Sequence, residues 1–417
     1  MAFACGLDFG TSNSAVAIVD GGRPVLVPIE ASQPTIPTAL FFHADEDTIA
    51  FGREAIADYV DGVPGRQMRS LKRILGTDLL HERTRLGTSS IALADVIGIF
   101  LRHLKSQTET ATGKPVDNVV LGRPVRFVPN NSDGDAAAEA ALGEIARRAG
   151  SVHVEFQFEP IAAAMTYRMQ VPRRAIALIV DAGGGTSDFS IVELDPMTEA
   201  AVDDRGAILA NHGVRIGGTD FDASLALFAT MPLLGYRAPL ARGGTVMPSW
   251  LYVDLANWPR INSLYTHRVM RMVGELRGLA VEPILAERLQ RVLRRRLGHY
   301  ILMRVEEMKI GLTDTRLVDC ALEAIEPGLS VTISANELEN AIADEMQAIF
   351  DGIAETVRLS GLASERIEKI FMTGGSTAIP AINRWIRANF PHAEIVEGDR
   401  FGAVATGLAL DARRRFG

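Results

Sequence analysis

Residues 181–190 read DAGGGTSDFS: three consecutive glycines behind an aspartate that closes the apolar run AIALIV, 175–180. Glycine within a strand costs backbone entropy and packs nothing, so three together need a local reason. Two readings compete. A tight hairpin joining AIALIV to FSIVEL, 189–194, explains them by turn geometry. A backbone cradle explains them by close approach, with N–H groups turned toward an anion such as a phosphate.

Residues 5–19, CGLDFGTSNSAVAIV, repeat the pattern of 178–194, LIVDAGGGTSDFSIVEL. Each is an apolar run, an aspartate, glycine, Thr-Ser, then Asn or Asp and a second apolar run. Asp8 matches Asp181, and Thr11-Ser12 matches Thr186-Ser187. One such hairpin carries little weight. Two in one chain predict an internally duplicated fold whose similar lobes each bring a phosphate-facing hairpin to a shared cleft.

The rest of the chain fits that frame. At 417 residues, 47% hydrophobic and 23% charged, it has the composition of a folded protein of two or three domains, or of one large two-lobed unit. A net charge of −8 argues against a nucleic-acid partner. Cys5 and Cys320 lie far apart without a CxxC, which excludes a disulfide framework or a cysteine-built zinc site. The start MAFACGLDFG lacks the basic and apolar segments of a leader, and no apolar run reaches membrane-spanning length. The expectation is a cytoplasmic protein with no membrane partner. Strand-like runs at 37–42, 116–125 and 152–160 alternate with helical patterns at 92–111, 135–149 and 160–169. Beyond the second hairpin, 213–231 reads strand, glycine turn, helix; 236–262 reads as an inserted loop and 263–312 as helical. Residues 364–386 read strand, glycine turn, helix, and a final helix begins near 402. The class is α/β with two lobes.

At DFGTSNS, 8–14, the sequence resembles the ATPase domain of the heat shock protein 70 (DnaK) family, within the actin and sugar-kinase superfamily. The resemblance runs from about residue 5 to 410 in ordered motifs. It is most similar to the shortened DnaK-like proteins of the YegD type, and is loosest over 236–300. It implies a two-lobed actin-like ATPase fold with duplicated ribonuclease-H-like lobes and a nucleotide cleft between them. Lobe I would span 1–172 and lobe II 173–417, with a partly helical insertion at about 223–312 and a final helix packing back toward lobe I.

The family's motifs map onto this chain residue by residue. The first phosphate motif is Asp8, Gly10, Thr11, Ser12 and Asn13; the second is Asp181, Gly183, Gly184, Gly185 and Thr186, with Asp188 beside it. The resemblance implies that their backbone N–H groups hold the phosphates of ATP or ADP, while Asp8 and Asp181 act on magnesium. Magnesium keeps several waters and takes one or two carboxylates, which suits two converging aspartates. Lys72 in SLKRILG matches the catalytic-lysine segment, and it is the sole lysine of the first hundred residues in an arginine-rich chain. Glu159 in FEPIAAA matches the hinge carboxylate near the magnesium waters, and Pro124 in GRPVRF sits where the family keeps a switch proline. Gly217 and Gly218 in IGGTDFD form a third glycine turn. Adenosine would be met by Glu306, Lys309 and Thr313 in VEEMKIGLT and by Gly374, Gly375 and Ser376 in TGGSTAIP. Ile310 and Ala378 stand where the family's adenine-flanking arginines belong.

The resulting expectation is a magnesium-ATP-binding, slowly hydrolysing chaperone-like switch. Full chaperones continue into a peptide-binding domain, whereas this sequence stops at LDARRRFG, so no peptide-binding domain of its own is expected. Two other classes remain open: a small-molecule kinase of the superfamily, which needs a base for a substrate hydroxyl, and a non-enzymatic actin-like scaffold. Fold alone does not separate them. Two further stretches bear on an unidentified protein partner. The charge run LQRVLRRRLGHY, 289–300, reads as a solvated helix face, with partner docking as the alternative. PSWLYVDLANWPRINSLY, 248–265, reads as loop-packing aromatics or a protein contact site.

Overall fold

β1 (Ala4–Phe9) and β2 (Asn13–Asp20) form the first hairpin, antiparallel, with Phe9 opposite Ser14. β3 (Arg23–Leu26) continues the sheet beyond β2, while β4 (Asn118–Arg123) and β5 (His153–Phe158) add in parallel on the far side of β1. The strand order is β5-β4-β1-β2-β3, with a short strand, Thr35–Pro37, also paired to β2. Every residue of β4 is buried, as expected of an apolar parallel strand covered on both faces. The computed structural model describes residues 3–44, 48–86, 89–128, 131–195, 208–241, 244–396 and 402–417.

The second hairpin repeats the plan. β6 (Ala175–Ala182) and β7 (Ser187–Leu194) are antiparallel, β8 (Ile208–Val214) follows β7, and β9 (Lys369–Thr373) and β10 (Glu394–Val396) extend in parallel from β6. The order β10-β9-β6-β7-β8 matches the first sheet strand for strand. The duplication read from two short motifs therefore extends through both sheets.

The chain divides into two compact units, Met1–Gly218 with Ala348–Ala378 and Ile382–Gly417, and Thr219–Gln347 with Ile379–Ala381. Both sheets belong to the first unit, and the expected lobe boundary at 172/173 runs between them. Helix α1 (Glu159–Arg168) and the final helix (Ala403–Phe416) join them in one core that includes Val120, Ala162, Tyr167, Ile179, Phe371 and Leu408. Tyr167 stacks on Phe371 at 4.0 Å between ring centroids, and its hydroxyl lies 3.0 Å from that of Thr373. A buried tyrosine needs such a polar partner for its tip.

The second unit is mainly helical. It holds α2 (Ser249–Leu255), α3 (His267–Arg277), α4 (Pro283–Arg295), α5 (Gly298–Asp314) and a hairpin of Leu317–Ala321 with Ser330–Ser334. The stretch 236–262, expected as a loop, contains α2 and a 3₁₀ turn at Ile261–Leu264. The reason is apolar spacing: Leu251, Tyr252, Leu255 and Ile261 are all fully buried. The charge run is only partly solvated. Arg291 pairs with Glu326, and Leu289, Val292 and Leu293 are core residues. Among the described residues no helix is long and apolar enough to cross a membrane.

Close approach fixes the final helix. A Cβ on Gly407 would stand 1.7 Å from the Ala162 carbonyl oxygen of α1, and one on Gly6 of β1 would stand 2.2 Å from the Ala409 nitrogen. Gly407→Ala should therefore destabilise the protein by about 3 kcal/mol or more through overpacking. At an exposed helix site the same change stabilises by about 1 kcal/mol. Urea unfolding midpoints measure the sign, and an unchanged or raised midpoint would refute this packing.

Candidate functional site

The two glycine turns touch, and that answers the question posed by the three glycines. Gly183 N–H donates to the Thr186 carbonyl at 2.9 Å, closing a tight hairpin between β6 and β7. A Cβ on Gly184 would lie 2.1 Å from Ser12 Oγ, and one on Gly185 would lie 2.9 Å from Thr11 Oγ1. The third glycine turn closes on the same place: a Cβ on Gly217 would stand 2.5 Å from the Gly185 nitrogen, while Gly218 N–H donates to the Gly183 carbonyl at 2.9 Å. Side chains are absent here because three backbones and the Thr11-Ser12 pair occupy their space. The first turn is pinned from below by the fully buried Thr38. Its hydroxyl donates to the Gly10 carbonyl at 2.9 Å and its N–H to the Ser12 carbonyl at 2.8 Å.

The structure brings a charged cluster to the strand ends beside these turns. Lys72 sits on a 3₁₀ turn, Leu71–Ile74, that follows Ser70 in the left-handed region at φ 58°. Its ammonium donates to Glu159 Oε1 at 2.5 Å, and both side chains are more than nine-tenths buried. Burial alone would lower the lysine pKa, but Glu159, Asp8 and Asp188 overcome that and raise it, so Lys72 is a cation. Burial, reinforced by Glu159 and opposed by Lys72, pushes Asp8 up to about 7. Asp188 is pushed up to about 7 by burial and by Glu159, against the Val125 N–H at 2.9 Å, Lys72 and the Thr186 hydroxyl. Asp181 is raised well above its ordinary value by burial, then by Glu159, Asp188 and Asp8.

Glu159, Asp181 and Asp188, all buried, and the half-buried Asp8 thus surround the Lys72 ammonium, an excess of acid that fits a divalent cation. Among the described residues no three acidic, histidine or cysteine side chains converge closely enough to hold an ion directly. Magnesium suits such an arrangement, because it retains waters and needs only one or two carboxylates. Asp8 and Asp181 are the residues that would hold it.

The two stretches expected to meet adenosine fall in different units. Gly374, Gly375 and Ser376 follow β9 in the first unit, where Ser376 Oγ donates to the Gly183 carbonyl at 2.9 Å. Gly374 has φ +79°, and a Cβ there would meet the Ala182 carbonyl oxygen at 2.3 Å. Glu306, Lys309 and Thr313 lie on α5 in the second unit, where Lys309 Nζ pairs with the buried Asp222 at 2.7 Å. Thr313 Oγ1 donates back to the Ile310 carbonyl at 2.7 Å, and Ile310 itself is exposed. Sequence reasoning missed Thr38 and Arg215. The Arg215 guanidinium donates to the Arg73 carbonyl and so fastens the turn that carries Lys72.

The raised carboxyls set a pH dependence for the ligand-free protein. A carboxyl whose folded pKa lies above an unfolded value of about 3.9 binds its proton more tightly when folded. Its stabilising contribution is complete below about pH 4 and is lost as pH rises through the folded value near 7. Metal-free protein should therefore lose stability between about pH 4 and 7, by at most roughly 4 kcal/mol for each of Asp8 and Asp188, of which about 2 kcal/mol each falls between pH 5.5 and 8. Asp8→Asn should flatten that loss. Melting curves at pH 5.5 and 8 decide it: parallel curves for wild type and variant would mean that Asp8 is ionised throughout.

The comparison with known families agrees with this architecture. The model described as Hsp70 protein matches residues 4–94, 81–232 and 288–414. Those segments carry both hairpins, the Lys72 turn, Glu159, the third glycine turn and the adenosine motifs. The mixed α/β structure with its paired sheets is consistent with the actin-like ATPase fold of that family. With most of its length matched, the chain belongs to the Hsp70 family.

Proposed function

We propose that this chain is a DnaK-like switch protein that binds magnesium-ATP and hydrolyses it slowly. The observation that carries the reading is the contact of two glycine hairpin turns beside a cluster of four carboxyl groups and one lysine ammonium. Family membership supports the same chemistry, since Hsp70 proteins are ATP-binding chaperone ATPases.

The division of labour follows from the chemistry of each group. Turn amides near Thr11, Ser12 and Gly185 present N–H dipoles suited to phosphate oxygens. Lys72 places a dehydrated positive charge where a phosphoryl group gains negative charge, and Glu159 fixes its direction. Asp8 and Asp181 would hold magnesium, which when bound neutralises phosphate charge and orients the oxygens. Asp188, tied to the Val125 N–H, connects the cluster to the segment containing Pro124.

Two expectations test the reading. Mg-ATP should raise the melting temperature, because a ligand that binds only the folded state must stabilise it. Asp181→Asn should diminish that shift. Lys72→Ala should keep most of the shift yet reduce hydrolysis about 10²-fold or more, the scale for losing one preorganised electrostatic group. Hydrolysis at the wild-type rate in Lys72→Ala would remove the lysine from the mechanism.

The base should be gripped less selectively than in relatives whose adenine is flanked by arginines. Ala378, which stands where one of those arginines belongs, offers no guanidinium, and a lost cation–π contact costs on the order of 1 kcal/mol. Competition calorimetry should then find GTP within roughly tenfold of ATP. A preference for ATP of more than about a hundredfold would show that other side chains select the base.

A further inference from the structure

The second unit carries an open groove of about 750 Å³ that the proposed ATPase chemistry does not use. Its walls include Trp250 from α2 and Arg268, Val269, Arg271, Met272 and Glu275 from α3. These residues fall within 233–287, the stretch between the segments matched to the Hsp70 family, so family membership does not account for the groove. On α3, Val269 and Val273 turn into the core, whereas Arg268, Arg271 and Glu275 are exposed. Trp250 is 45% exposed on α2, with Val253 one turn further and 43% exposed. By contrast Trp258 is buried against His299, which gives the two tryptophans of this stretch different roles.

The charges of the groove are uncommitted. Residues 260–304 hold ten arginines against three glutamates in a chain whose net charge is −8, so this stretch is basic within an acidic protein. Most of those arginines are engaged: Arg260 with Asp254, Arg277 with Glu287, Arg288 and Arg291 with Glu326, Arg304 with Glu307, Arg295 with the Ala324 carbonyl and Arg296 over the Tyr265 ring. Arg268 and Arg271 have no ion-pair or hydrogen-bond partner among the described residues, nor has the Trp250 indole N–H an acceptor. Arginine and tryptophan are the residue types that dominate binding hot spots, through planar forks for carboxylates and a large rigid apolar surface.

We propose that this groove docks an acidic segment of a partner protein, its carboxylates on Arg268 and Arg271 and an apolar or aromatic side chain against Trp250 and Met272. The two arginines are one helical turn apart, so neighbouring carboxylates on one peptide reach both. Nucleic acid fits less well. The groove includes Glu275, the whole chain is acidic, and two arginines cannot follow a phosphate backbone.

Fluorescence anisotropy on the full chain tests this, with a fluorescein-labelled synthetic peptide of alternating Glu and Phe, its Gln-for-Glu counterpart, and oligothymidylate. The acidic peptide should bind, more tightly at low salt. Binding should weaken at least about tenfold in Arg268→Glu with Arg271→Glu and about tenfold in Trp250→Ala, the scale for losing hot-spot residues. Arg268→Lys with Arg271→Lys should retain most of it. Arg294→Glu, an exposed change outside the groove wall, should alter it less than about twofold. Unchanged melting temperatures would place the losses in the groove rather than in folding. The proposal is overturned if the acidic peptide does not bind, if the Gln peptide binds equally well, if Arg294→Glu weakens binding as much as the groove variants, or if oligothymidylate binds more tightly.

Discussion

A lysine ammonium held 2.5 Å from a glutamate, both buried and among three further carboxyl groups, is the constraint on which the first unit turns. Such an arrangement is a poor way to gain stability. Removing two charges from water costs several kcal/mol per ion in effective terms, and the pair's attraction recovers it only with good geometry. Three excess carboxyls add repulsion, which the folded protein relieves by keeping protons on Asp8 and Asp188 up to about pH 7. Charge that is costly in the ligand-free protein is charge available to a cation and a polyphosphate. The strain lies where the proposed chemistry occurs.

Backbone proximity is the second requirement, and it explains how the cluster is held. Each acidic residue lies on or beside a strand end, and the turns that follow those strands are in contact. Glycine at 184, 185 and 217 lets Thr11, Ser12 and the third turn meet without intervening side chains. Ser376 then fastens β9's turn to the same hairpin through the Gly183 carbonyl, and Gly374 leaves the room that the Ala182 carbonyl takes. Beneath these, the final helix lies against β1 and α1 so tightly that Gly6 and Gly407 have no room for a methyl group. Glu159 and both hairpins consequently sit on closely packed helix and strand ends, and the Lys72 turn is tied down by Arg215, as a preorganised electrostatic site requires.

Much of this was legible in the sequence because the duplicated hairpin leaves a local signature. Aspartate, glycine, Thr-Ser and two apolar runs need no tertiary information to recognise, and the matched strand orders of the two sheets follow the same repeat. What escaped depends on contacts distant in sequence. Thr38 reaches Gly10 across 28 residues, and Arg215 reaches Arg73 across 142, so neither has a local pattern to betray it. The helix at 249–255 escapes a sequence reading because flanking prolines and glycines obscure a short run whose residues Leu251, Tyr252 and Leu255 are buried. Hairpin and cradle, posed as alternatives for the three glycines, share the same residues: the hairpin bond between Gly183 and Thr186 is present, and the turn it forms is the one packed against Thr11 and Ser12.

The central claim is that the carboxyl cluster takes up a magnesium nucleotide and is partly protonated until it does. Titration calorimetry of Mg-ATP at pH 7, in two buffers of different ionisation enthalpy, tests this directly. A cation entering among Asp8, Asp181 and Asp188 must drive them toward the ionised form, so the observed heat should depend on the buffer, with net release on the order of one proton per nucleotide bound. Asp8→Asn should reduce that release. Tight binding with a heat independent of buffer, in wild type and variant alike, would contradict the account and place the nucleotide away from these residues.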